Sequence, residues 1–172
     1  GGQFYGDANI TSRMEGWYAN GTQIVFACGG GIYTSAVEAA LKNNGYVVGV
    51  DVDQNYIGVN GVAKDGYAYN PFVTSAMKGL AATIRDTLKD VIENDNWAAY
   101  GAQISTLGLA SADPEGNYVQ LPMESTLWTD SFTQEDYKAL VAGMFDGSLI
   151  VSNDTSVMPE TGITVNTYAD IK

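Results

Sequence analysis

The stretch Ile24-Val25-Phe26-Ala27-Cys28-Gly29-Gly30-Gly31 decides the fold, because it returns in altered form as Val47-Val48-Gly49-Val50-Asp51-Val52-Asp53-Gln54. Each is a short apolar run that ends in glycine or acid. A helical pattern runs between them from Ile32 to Lys42. Strand, glycine turn, helix and strand make a βαβ unit, whose strands are parallel and buried. Ligands of such sheets gather outside the carboxyl ends of the strands. Gly29, Gly30, Gly31, Asp51 and Asp53 share that edge.

Outward from this unit, Asn9-Ile10-Thr11-Ser12 predicts a helix start, with Met14, Trp17 and Tyr18 as its apolar stripe and Asn20-Gly21 as its end. Gln54 to Asn70 is polar and glycine-rich and reads as an irregular excursion. Phe72 to Ser75 reads as a third strand, and Met77 to Val91 as a helix with Leu80, Ile84 and Leu88 on its apolar face. Gln103 to Leu109, Tyr118 to Leu121, Leu149 to Val151 and Ile163 to Tyr168 read as further short strands. Thr133-Gln134-Glu135-Asp136 opens a capped helix that Gly147 stops. The expectation is an α/β fold, a three-layer sandwich with a mainly parallel sheet. Its first three strands are neighbours, with helices on both faces.

The chain has 172 residues, 45% hydrophobic, enough for a core in one domain or one lobe. Its net charge of -12 disfavours nucleic acid and anionic membrane surfaces as partners. It has no histidine, which excludes histidine-dependent triads and the usual zinc sites, and its single Cys28 makes no internal disulfide. No apolar run approaches the ~20 residues that span a bilayer. The opening at Gly1-Gly2 carries no visible signal peptide, which leaves a cytosolic protein or a fragment without its beginning as the two expectations.

Several residues at the carboxyl edge invite chemistry. Gly29-Gly30-Gly31 follows a strand and opens a helix, where phosphates bind, but Thr34 stands in place of the third glycine of the dinucleotide pattern. A ligand loop and a plain turn weigh equally here. Asp51 and Asp53 alternate along a strand end, so both should face one way. Asp51 suits sugar hydroxyls, a magnesium pair with Asp53, or attack on phosphorus; a solvated turn is the better reading of Asp53. Lys78 falls at a predicted helix start, where the helix dipole disfavours a cation. Phe26, Tyr33 and Tyr56 lie near the same edge and can stack on a ring, although a core role suits Phe26 better.

With those residues in view, Ile24 to Ala40, Val47 to Gln54 and Thr74 to Lys78 together resemble the basic membrane protein family of bacterial substrate-binding lipoproteins, which includes purine nucleoside receptors of ABC transporters. The family pattern is a strand ending in Ala-Gly-Gly, a helix, Val-Ile-Gly-Val-Asp-x-Asp-Gln, then Leu-Thr-Ser-x-x-Lys. Here the blocks read Cys28-Gly29-Gly30, Val47 to Gln54, and Val73-Thr74-Ser75-Ala76-Met77-Lys78, in the same order. A weaker likeness continues to Val151. Val25 stands where purine receptors carry a stacking aromatic, with Phe26 beside it, and the loop from Tyr56 to Phe72 is longer than the family's.

The resemblance implies a type I periplasmic-binding fold of two α/β lobes, with a nucleoside in the cleft. It implies ribose contacts at Gly30, Asp51 and Lys78, with Gly29 and Phe26 beside them, no catalysis, no metal and no cofactor. It implies an ABC transporter permease as partner and an extracytoplasmic, lipid-anchored location for the full-length protein. Because one lobe takes ~100–150 residues, residues 1–172 are expected to be the second lobe with its crossover segments, and the first lobe to lie outside this chain. The apolar face of Leu80, Ile84 and Leu88 would then want a partner from that lobe or pack in a homodimer. Two rivals stand beside this reading. One is a magnesium-dependent phosphotransferase with Asp51 as nucleophile, although Asn55 stands where that class wants Thr or Val and no Asp-Asp pair follows. The other is a truncated remnant that binds nothing, since half a cleft buries little ligand.

Overall fold

The computed structural model describes residues 3–152 and 154–167. Helix α1 (Ala8–Ala19) is capped by Asp7, whose Oδ1 accepts from the Ile10 N–H at 2.9 Å, so the helix begins earlier than its Asn9-Ile10-Thr11-Ser12 signal suggests. Strand β1 (Ile24–Phe26) leads through the glycines to α2 (Tyr33–Asn43), then β2 (Tyr46–Asp51). The inner side of α2 is Ser35, Ala36, Val37, Ala39 and Ala40, small residues that let it lie close on the sheet. Strand β3 (Phe72–Lys78) and the short β4 (Val119–Gln120) complete a four-stranded sheet in the order β1-β2-β3-β4. The first three strands are parallel and β4 is antiparallel, with Phe26 opposite Val48, Val50 opposite Ala76 and Asp51 opposite Met77.

Three layers result. Helices α1 and α2 cover one face, and Met14, Tyr18, Val25, Ala36, Val47 and Phe72 form the main core there. The other face is covered on its β3 side by residues 121–132, joined to β3 by Leu127 N–H to Val73 O at 2.7 Å and by the Thr74–Thr126 hydroxyl pair at 2.7 Å. Behind them, α5 (Gln134–Asp146) packs Tyr137 and Val141 on Met123 in a second, smaller core. The predicted cap of α5 is present and forms a capping box, Thr133 and Asp136 serving each other's backbone N–H. The β1 side of this face stays open, and Phe26, assigned to the core from sequence, is 51% exposed on an edge strand.

Other expectations change. Gln54 to Asn70 is largely helical: α3 (Asn55–Asn60) runs into a π-turn at Gly61–Asp65. Gly58 and Gly61, which suggest irregularity in the sequence, are buried where Asn70 and Tyr67 press against the helix and a Cβ would collide. Strand β3 continues past Ser75 because Met77 and Lys78 pair with Gln120 and Val119; α4 (Leu80–Glu93) therefore starts at Leu80. Residues 103–109, 149–151 and 163–167 form no strand. Ile104, Ile150 and Ile163 are exposed, so these apolar runs lack a partner edge; Tyr168 lies outside the described residues. Among the described residues no helix is long and apolar enough to cross a membrane.

Candidate functional site

Strands β1 and β2 both end in three-residue turns at the carboxyl edge of the sheet. The Gly29 N–H reaches Ala27 O at 3.0 Å, and the Val52 N–H reaches Val50 O at 2.9 Å. The second turn holds Asp51 at φ +71°, a γ-turn of the rare, strained kind for a residue with a side chain. That turn swings the Asp51 carboxylate to the end of β3, where Oδ1 lies 2.6 Å from Lys78 Nζ. Lys78 is the last residue of β3 rather than part of the first turn of a helix, and α4 begins two residues after it.

The pair stands in solvent, its side chains 64% (Lys78) and 40% (Asp51) exposed. The hydrogen bond from Lys78 to Asp51, and then the carboxylate's charge, hold the ammonium above its ordinary range. Exposed pairs add little to stability, so this one earns no explanation as a fastening. Capacity remains on both partners. Asp51 Oδ2 has no partner among the described residues, and the ammonium has three donors of which one is used.

The neighbouring motif residues are, by contrast, fully occupied. Gln54 is buried; its Oε1 accepts from the Val50 N–H at 3.0 Å, and its own N–H donates to Ser75 Oγ at 3.0 Å. Gly49 leaves the room for this lock, since a Cβ there would meet both Ser75 Oγ and Gln54 Oε1. Asp53 does not share a face with Asp51, because the strand has already turned. Its Oδ2 accepts from Ser125 Oγ at 2.7 Å and its Oδ1 from the Asn55 N–H at 3.0 Å, tying residues 121–132 to the end of β2. Asp51 and Asp53 are thus held by different partners, Lys78 and Ser125, and among the described residues no three His, Cys, Asp or Glu side chains lie together.

Gly30 is exposed at φ +55°, and the backbone approach permitted by the glycines is taken by the chain itself. The Gly31 N–H donates to Phe4 O at 2.6 Å, Tyr5 bridges Gly31, and a Cβ on Gly30 would stand 3.0 Å from Phe4 O. From sequence, Gly1 to Asp7 reads as a loop or the stub of a strand; Tyr5 makes a single bridge to Gly31, and the segment sets Phe4 and Tyr5, 75% and 63% exposed, beside Gly30 and Gly31. The paired positive signal was the aromatic dipeptide itself, followed at Asp7 by a cap. Gly29 precedes the Gly30 bend, and Phe26, the last residue of β1, faces away from Val25 and the main core. The exposed Cys28 lies near Lys78. The edge thus brings Asp51 and Lys78 into contact, with Cys28 and the glycine turn beside them, and leaves all of it open to solvent.

The chain matches no family model, and no curated protein matches it.

Proposed function

We propose that this chain is the ribose-gripping lobe of a two-lobed solute-binding protein, with a nucleoside as its solute and no catalytic role. The observation that carries the reading is the Asp51–Lys78 pair, held at 2.6 Å on a strained turn at the open carboxyl edge. A vicinal diol offers two donors and several lone pairs. Asp51 Oδ2 accepts from one hydroxyl, while the spare Lys78 N–H groups donate to the hydroxyl oxygens, and the two charges balance in the complex. Phe4 and Tyr5 supply aromatic faces next to Gly30 for the base. The resemblance stated above supports the same residues and extends the reading. A second lobe closes the cleft, an ABC transporter permease receives the solute, and a lipid anchor outside this chain holds the protein at the outer side of the membrane.

The test is a heteronuclear NMR titration of the 172-residue chain with inosine, adenosine, guanosine and cytidine, each beside its 2′-deoxy form. Half a cleft binds weakly, so shifts are expected only at high nucleoside concentration. They should centre on Gly29 to Gly31, Asp51 and Lys78, and weaken for the deoxy compounds. In a protein that holds the complete cleft, Asp51→Ala should cost roughly 2–5 kcal/mol of binding, about 30-fold or more, because it strands Lys78 against the ligand. Nucleosides that leave those amides unmoved, or equal affinity for ribose and deoxyribose forms, would overturn the reading.

A further inference from the structure

We infer that the chain associates with a second copy of itself, the apolar stripe of α4 from one copy lying in a groove on the open sheet face of the other. The stripe is Leu80, Ile84, Leu88 and Ile92, each half exposed or more. Four residues of constant spacing make one straight ridge along a helix. The inner side of α4 is fastened the other way. The Gly79 N–H donates to Tyr118 O at 2.8 Å, Tyr118 Oη donates to Asp86 at 3.2 Å, and Tyr100 Oη donates to Asp90 at 3.0 Å. These bonds turn the stripe outward, away from its own sheet.

The same molecule carries a receptor of matching kind. A groove of about 910 Å³ opens where β1, β2 and β3 begin, with Ile24, Tyr46 and Thr74 on the sheet side and Leu127, Trp128 and Phe132 on the other. Ile24, Tyr46, Leu127 and Phe132 are exposed, so the groove is apolar and unfilled. An amphipathic helix laid by its apolar ridge into such a groove is a recurring mode of recognition. Charge bears on the choice of helix. Arg85, itself paired with Asp86 at 2.8 Å, and Lys89 follow Ile84 and Leu88 on the exposed side of α4, with Glu93 after Ile92 at its end, whereas the outer wall, residues 121–132, carries Glu124 and Asp130. No lysine or arginine occurs between Lys89 and Lys138, so nothing on that wall repels the two cations. A helix of this length is about 21 Å long and 10 Å wide, and a pair of such contacts falls at the small end of specific interfaces. Association in the micromolar range is therefore expected.

The experiment uses the full chain with Cys28→Ser, so that introduced cysteines are the only thiols. Copies carrying Ile84→Cys are mixed with copies carrying Leu127→Cys under mild oxidation, and each is also oxidised alone. A disulfide-linked pair in the mixture, absent from either sample alone, supports the contact. Sedimentation velocity on the parent should show a concentration-dependent dimer. It should be lost both in Ile84→Asp/Leu88→Asp and in Leu127→Asp, with circular dichroism unchanged because all three positions are exposed. Ile84→Cys linking to itself would put helix against helix and overturn the assignment. So would an intrachain disulfide in the doubly substituted chain, or a parent that stays monomeric at every concentration.

Discussion

At Gly49 the missing side chain lets Gln54 reach back to the sheet. Ser75, Gln54 and the Val50 N–H make one buried polar lock directly under the Asp51 turn. Gly49→Ala should therefore cost about 1–3 kcal/mol, the usual range for overpacking a tight site. It should be read as a lower urea midpoint at unchanged slope, with the largest NMR shifts at residues 50–54. An unchanged midpoint would show that the lock gives way freely. At this scale the sequence was partly legible. The parallel strand ends and the resemblance put Asp51 and Lys78 at one site, and the structure pairs them. Strand alternation put Asp53 on the same face as Asp51, because it assumes that a strand keeps going, and the positive φ of Asp51 ends it. Nothing local to Asp53 announces its partner Ser125, which lies 72 residues away.

The junction between α2 and β2 is clamped by two tyrosines from distant elements. Tyr18 Oη of α1 donates to Tyr46 O at 2.5 Å, and Tyr69 Oη donates to Gly45 O at 2.6 Å. Burial pushes the Tyr18 hydroxyl up from 10.0 to about 12, with a smaller push from Tyr69. A raised folded-state value means that the stability is fully present below the unfolded value and is lost as pH rises through the folded one. The urea midpoint should hold steady up to about pH 10 and fall between about pH 10 and 12. Tyr18→Phe should lower the midpoint at neutral pH and flatten that alkaline fall; a fall of unaltered steepness would assign it to other groups. Elements with clean periodicity, such as α2, α5 and the three parallel strands, were legible from sequence. Helix α3 was hidden by Gly58 and Gly61, whose closeness to Asn70 and Tyr67 is a tertiary fact. The apolar runs at 103–109 and 149–151 misled for the opposite reason: strand-like composition makes no strand without an edge to pair with.

Over the whole molecule the stabilising burial is divided unequally. The main core joins α1, α2 and the parallel strands, while the second core, among the described residues, holds Met123, Tyr137 and Val141 at its centre. The two meet through few hydrogen bonds, chiefly Leu127 to Val73, Thr74 to Thr126 and Ser125 to Asp53. Val47 and Val141 are buried alike, at 1% and 2% exposure, one in each core. The same change, Val→Ala, removes the same methyl groups and should cost about 1–3 kcal/mol locally in either place. The consequences should differ. Val47→Ala lies in the unit that every other part rests on, so it should speed exchange of the slowest amides in α2 and β2 and lower the global midpoint. Val141→Ala should speed exchange across α5 and residues 121–128 while leaving the slowest α2 amides where they were, because the smaller unit can open by itself. Hydrogen exchange under native conditions separates the cases. Equal acceleration of α2 by both substitutions would make the chain one cooperative unit. The hydroxyl of Ser125 would then hold Asp53, and with it the edge that carries Asp51, as firmly as the main core does.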